Sequence, residues 1–202
     1  MNLVPPSSEV LNLVAEAVAP SEIEGEEIQG LIDSMLDIAS GEQGNPARPT
    51  MVGLAAPQIG VSKRVLLLGT NAAGQGEVPE FLAMINPVIV KRSERSNMNR
   101  EGCYSTGKVC GVVERSTWVT VEALDRFGKT IHATFDDFVA RVLQHEIDHL
   151  DGIRFPDRIP EDRELLWVEP DQFGKFRLEW DKWNITCSRE RWQAIKHGTE
   201  SV

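Results

Sequence analysis

Two histidines stand four residues apart in Gln144-His145-Glu146-Ile147-Asp148-His149-Leu150, with a glutamate beside the first. No other string in the chain restricts the fold as much. On an α-helix, residues i and i+4 share a face one turn apart, so both imidazoles reach a single ion while Glu146 stands over its open side. Val142, Leu143, Ile147 and Leu150 surround the motif with apolar surface. A helix so flanked is buried, and buried imidazoles are costly unless something binds them. The alternative, a surface histidine pair with charged neighbours, sits poorly with those flanks. Two histidines seldom complete a catalytic site. The strongest candidate for a third ligand is Cys103 in Glu101-Gly102-Cys103-Tyr104-Ser105, although a lone cysteine after glycine is, taken alone, more often a small core residue. Asp148, between the histidines, is a candidate support for a ligand or a salt-bridge partner, with Arg115 as one mate.

The rest of the chain has an α+β texture. Val10, Leu11, Val14, Ala17 and Val18 have helical spacing and end at Pro20, and Ile28, Leu31, Ile32, Met35, Leu36 and Ala39 form a second apolar stripe. Two N-terminal helices are thus expected, the second with a capping box from Ser21 and Glu24. Residues 41–50, with two glycines and two prolines, read as a loop. Short β-type runs follow at 64–69, 81–90, 111–114, 117–124 and 130–135, the last two joined by a hairpin at 125–129. The motif helix starts at Asp136 or Asp137 and stops at Gly152. Antiparallel or mixed sheets are therefore expected around a central helix in the C-terminal half. Four of the five tryptophans, Trp167, Trp180, Trp183 and Trp192, lie in the polar segment 160–202. That segment reads as an extension packed on the domain formed by 1–159, its rings capping the core.

Composition narrows the class of function. The net charge is −10, yet residues 1–47 hold nine acids and no Lys or Arg, leaving the remainder close to neutral. Clustered basic residues of the kind nucleic-acid binding needs are missing, and no apolar run approaches the ~18 to 20 residues of a membrane span. The N-terminus resembles neither a secretory signal nor a transit peptide. Three cysteines, Cys103, Cys110 and Cys187, suit a reducing compartment, with Cys110 and Cys187 packed or free. A cytoplasmic location is expected.

A third block, Gly53-Leu54-Ala55-Ala56-Pro57-Gln58-Ile59-Gly60, precedes the other two. In this order the three blocks closely resemble the signature motifs of the peptide deformylases, and the resemblance runs through Ile159 but not into the tail. It implies hydrolysis of the N-formyl group of formyl-methionine on nascent polypeptides, with release of formate. It implies one divalent ion per chain held by Cys103, His145 and His149, natively Fe²⁺, with Ni²⁺ or Co²⁺ as good substitutes and Zn²⁺ less active, although three ligands with an open position would alone favour Zn²⁺. Water would attack with Glu146 as general base, while the Gln58 amide and the Tyr104 backbone N–H stabilise the oxyanion. The substrate would add as an extended strand near Val52, Gly53, Leu54 and Tyr104. Val52, Phe138, Val142 and the stem of Arg141 would wall the methionine slot, and the C-terminal segment could touch the ribosome transiently. Met51, Tyr104 and Cys110 depart from the usual glycine, leucine and arginine, so the substrate-facing set is altered. Two rivals are a metalloendopeptidase, whose third ligand would normally be a later His or Glu, His197 being the only later histidine, and a diverged deformylase-like protein that acts on a special formylated peptide or binds N-blocked peptides without turnover.

Overall fold

A computed structural model describes residues 2–41, 51–74 and 78–200. Its organising strand is β2 (Val65–Gly69), buried along its whole length. Side chains alternate across a strand, and here both faces are covered. Val65 and Leu67 point to Ile28, Leu31, Ile32 and Met35 of helix α1 (Glu26–Gly41). Leu66 and Leu68 point to Ala140, Leu143, Ile147 and Leu150 of helix α2 (Asp137–Leu150).

Around β2 an antiparallel sheet forms in the order β1, β2, β3, β6, β7. Its other strands are β1 (Gly53–Ala55), β3 (Phe81–Arg92), β6 (Trp118–Leu124) and β7 (Thr130–Asp136). A second sheet, in the order β4, β5, β8, joins β4 (Ser96–Gly102), β5 (Val109–Ser116) and β8 (Leu165–Trp167). Glu101 and Arg115 of this sheet bond to Arg141, His145 and Asp148 on α2. Helix α2 thus lies between the two sheets, and this explains why even its polar residues Gln144, Glu146 and Asp148 are buried. Gly152 follows it at φ +70°, the left-handed stop expected of a glycine. Asp136 takes the N-cap position without a side-chain capping bond.

The N-terminus corrects the sequence expectation of two helices. Residues 8–19 make only a 3₁₀ turn at Glu9–Asn12 and then run extended. The Ala15 N–H donates to Leu150 O (2.8 Å), and Glu16 bridges Lys63 in parallel. Val10, Val14 and Val18 are β-branched and Pro20 limits the length, so an isolated helix there is marginal. Bonds to the sheet edge and to the end of α2 win, leaving Val14 68% exposed. The expected capping box also moves: Glu22, not Glu24, accepts from a backbone N–H, that of Ala19 (2.9 Å), and α1 begins at Glu26. Residues 42–50 of the expected loop lie outside the described residues.

The C-terminal segment is built into the second sheet. Strand β8 pairs with β5, and helices α3 (Phe173–Glu179) and α4 (Arg189–Lys196) follow. Trp192 is fully buried against Val109, Phe155 and Ile159. Its indole N–H donates to Asp157 (2.9 Å), which also pairs with Lys196 (2.7 Å).

Candidate active site

Helix α2 delivers His145 and His149 on one face, and the chain leaving β4 brings Cys103 to them. One ligand atom from each of the three lies within 4.8 Å of the others. His145 Nδ1 lies 2.9 Å from Glu101 Oε2, which leaves its Nε2 to face the cluster. Cys103 Sγ lies 3.4 Å from His149 Nε2. His149 Nδ1 and Glu146 Oε2 are buried with no hydrogen-bond partner among the described residues.

Glu101 is the hub beneath the cluster. Beyond His145 it accepts from Arg115 (2.9 and 3.0 Å) and Arg141 (2.8 Å), all three side chains being nearly inaccessible. Burial alone would raise its pKa, but Arg115 and His145 outweigh burial and hold the carboxyl well below the usual carboxylate range. Arg115 also reaches Asp148, as the sequence suggested, and Asp148 is held from its other side by Arg158 Nε at 2.7 Å. Burial opposes a charge on His145, yet its bonds to Cys103 and Glu101 raise its proton affinity well above that of a free imidazole. His149 is pushed the other way, by burial first and then by His145. A sulfur and two imidazoles backed by a buried carboxylate form a donor set suited to a cation, and these residues fit a divalent metal ion.

Glu146 lies beside that cluster, 4% exposed, and burial pushes its pKa up to about 7. Gly53 makes room for it: a β-carbon there would stand 2.5 Å from Glu146 Oε1. Gln58 is fixed at both ends of its amide. Its Oε1 accepts the Ala55 N–H (2.7 Å), so its Nε2 must point to Cys103 Sγ and Ser105 Oγ, both 3.3 Å away. Tyr104 opens the 3₁₀ turn directly after Cys103.

These groups meet in one cavity of about 570 Å³. Val52, Gly53, Phe138, Arg141 and Val142 share its walls with Gln58, Cys103, Tyr104, His145 and Glu146. Leu54 does not: its side chain is fully buried in the core beside α1. His149 sits behind the wall, 1% exposed. Arg141 lines the cavity while its guanidinium is spent on Glu101, Val113 O and Asn97.

The family model described as polypeptide deformylase matches residues 1–164. The chain belongs to the polypeptide deformylase family. A peptide deformylase of Thermomicrobium roseum is 42% identical over 149 residues, 73% of this chain and 80% of that one. One from Thermodesulfovibrio yellowstonii is 41% identical over 159 residues, 78% and 88% of the two chains. Among solved structures, a Met-Ala-Ser-bound class I type b peptide deformylase from Acinetobacter baumannii superimposes with a TM-score of 0.69 at 33% identity, covering 79% of this chain and 98% of that one.

Two parts of this deformylase's site escaped sequence reasoning. Glu101 had a signal: in an extended chain it shares a face with Cys103, two residues on. Pro170, Phe173, Phe176 and Arg177, from beyond the family match, also line the cavity. No periodicity in that polar stretch marked them. The departures are placed as well. Met51 packs into the core at the cavity's edge, and Cys110 is a buried thiol whose pKa burial drives far above its ordinary value.

Proposed function

We infer that this deformylase hydrolyses the N-formyl group of formyl-methionyl nascent polypeptides with a divalent metal ion. The observation that carries the metal-dependent reading is the convergence of Cys103, His145 and His149 beside Glu146 and Gln58 in one cavity. Cys103, His145 and His149 would hold the ion, Fe²⁺ in the native enzyme by family resemblance, and it supplies Lewis acidity toward water and the formyl oxygen.

The protein's own groups do the rest. Glu146, in its ionised form, takes a proton from the attacking water as the oxygen bonds to the formyl carbon. Gln58 Nε2–H and the Tyr104 backbone N–H donate to the oxygen that gains negative charge. Glu146 then returns its proton to the departing nitrogen as the C–N bond breaks, giving formate and a free amine. The substrate lies as an added strand on β1, an edge strand of its sheet. Backbone groups of Val52, Gly53, Leu54 and Tyr104 hold it, with the methionine side chain among Val52, Phe138, Val142 and the stem of Arg141. Backbone pairing lets many downstream sequences bind.

No helix among the described residues is long and apolar enough to cross a membrane. The three free cysteines favour a reducing, cytoplasmic setting. We assign residues 1–159 to the catalytic domain and 160–202 to an extension packed on it, which offers the surface for a transient ribosome contact.

Formate release from formyl-Met-Ala-Ser by Fe²⁺- or Ni²⁺-loaded protein, prepared without oxygen, tests the assignment. Turnover should drop by at least about a hundredfold in Glu146→Ala. Metal-loaded protein that binds the peptide without releasing formate would point instead to a binding role.

A further inference from the structure

The far end of the cavity is made by a segment outside the family match. Phe173 and Phe176 of α3 line it, and Phe176 is anchored edge-on against Trp183 with ring centroids 5.5 Å apart. Two arginines bridge this wall to the rest of the site. Arg100 Nε of β4 donates to Arg177 O (2.9 Å), and Arg177 Nη2 donates to Gly74 O (3.1 Å). Each guanidinium has five N–H donors, so among the described residues these two bonds leave most of them uncommitted.

The carboxylates that share the cavity do not neutralise this pair. Glu101 is committed to Arg115, Arg141 and His145, and Glu146 stands at the metal end. Lys108, on the same wall, is paired with Glu169 at 2.9 Å. Asp137 shares with Arg100 an adjoining cavity of about 260 Å³, yet no ion pair joins them. Among the described residues neither Arg100 nor Arg177 has a salt-bridge partner. Burial and then Arg177 lower the pKa of Arg100, so two like charges are held together, partly shielded, beside Phe173 and Phe176.

We propose that Arg100 and Arg177 bind a substrate carboxylate two or three residues beyond the formylated methionine, with α3 closing the groove behind it. The spacing follows from the chain. Arg100 is three residues before Cys103, and an extended strand rises about 3.3 Å per residue, so a peptide alongside reaches Arg100 about that many residues past the formyl group. The carboxylate can be the free C-terminus of a short formylated peptide or an acidic side chain in a longer one. This inference rests on the deformylase assignment and names its substrate class.

Calorimetric binding and kcat/KM should be compared for formyl-Met-Ala-Ser as free acid, the same peptide as its C-terminal amide, and formyl-Met-Ala-Glu-Ala amide. At low salt the free acid, the glutamyl peptide or both should bind about tenfold more tightly than the plain amide, a gap that added salt narrows. Arg177→Gln and Arg100→Gln should collapse that ratio, while Lys175→Gln, on the exposed side of α3, leaves it intact. A gain confined to one acidic peptide identifies the source of the carboxylate. Equal binding of all three, or a ratio unmoved by either arginine substitution, overturns the proposal. Preferential binding of an acidic peptide without formate release would keep it and overturn the deformylase assignment instead.

Discussion

Glu146 and Glu101 are both buried carboxyls on the same site, and their surroundings drive them in opposite directions. Glu146 faces the cavity with no cation bonded to it among the described residues, so burial dominates and its pKa rises to about 7. The ionised base is lost as pH falls through that value. The acid limb of kcat/KM for the metal-loaded enzyme is therefore expected at or below about 7, since a bound cation stabilises the carboxylate. A limb clearly above 7 would count against Glu146 as the base. Glu101 is instead pinned as an anion by two arginines. Glu101→Gln leaves Arg141 buried without its carboxylate and His145 without an anionic partner. We expect a loss of about 3 to 5 kcal/mol in urea unfolding and metal affinity about ten- to a hundredfold weaker. Unchanged metal affinity would show that Glu101 serves the fold alone.

Among the elements, α4 is tied to the body through Asp157, which receives both the Trp192 indole and the Lys196 ammonium. Burial alone would raise the Asp157 pKa, but these two bonds outweigh it and depress it. A depressed carboxylate contributes stability above its unfolded value, near about 4, and loses it as pH falls through its folded value. Asp157→Asn should thus be less stable than the parent at pH 6, with the gap in melting temperature closing below about pH 4. A gap that persists at pH 3 would place the effect elsewhere. The elements also differ in how plainly the sequence announced them. Helix α2 was legible because its histidine spacing and apolar flanks agree, and β2 because its run is buried on both faces. Residues 8–19 misled because a 3.6-residue pattern of valines carries no information about the partner, and the partners, Leu150 and Ser62, are remote. Strand β4 was missed because Ser96–Gly102 is polar and lies at a sheet edge. The Glu101-to-Ser105 string does not reveal the task of Glu101, since its partners lie 14 and 40 or more residues away.

For the whole molecule, residues 1–159 and the Trp-rich segment 160–202 share a core cluster. A chain ending at residue 164 would lose β8 and uncover Val109, Phe155 and Ile159, now packed against Trp167 and Trp192. Such a chain should give little soluble protein and no sharp thermal transition by circular dichroism. A cooperative melt near that of the full chain would instead make the extension separable. Charge is also divided: an acidic N-terminal stretch accounts for nearly all of the net −10, while Arg100 and Arg177 stand at the cavity's far end. That end has a consequence for chemical selectivity. A compound confined to the Cys103 and Glu146 end of the cavity meets residues in the segment matched by the family, Gln58 among them, whereas one that extends to the wall formed by α3 meets Phe173 and Phe176, which lie outside it. The reach of an inhibitor, rather than its metal-binding head, therefore governs whether it distinguishes this enzyme from other deformylases.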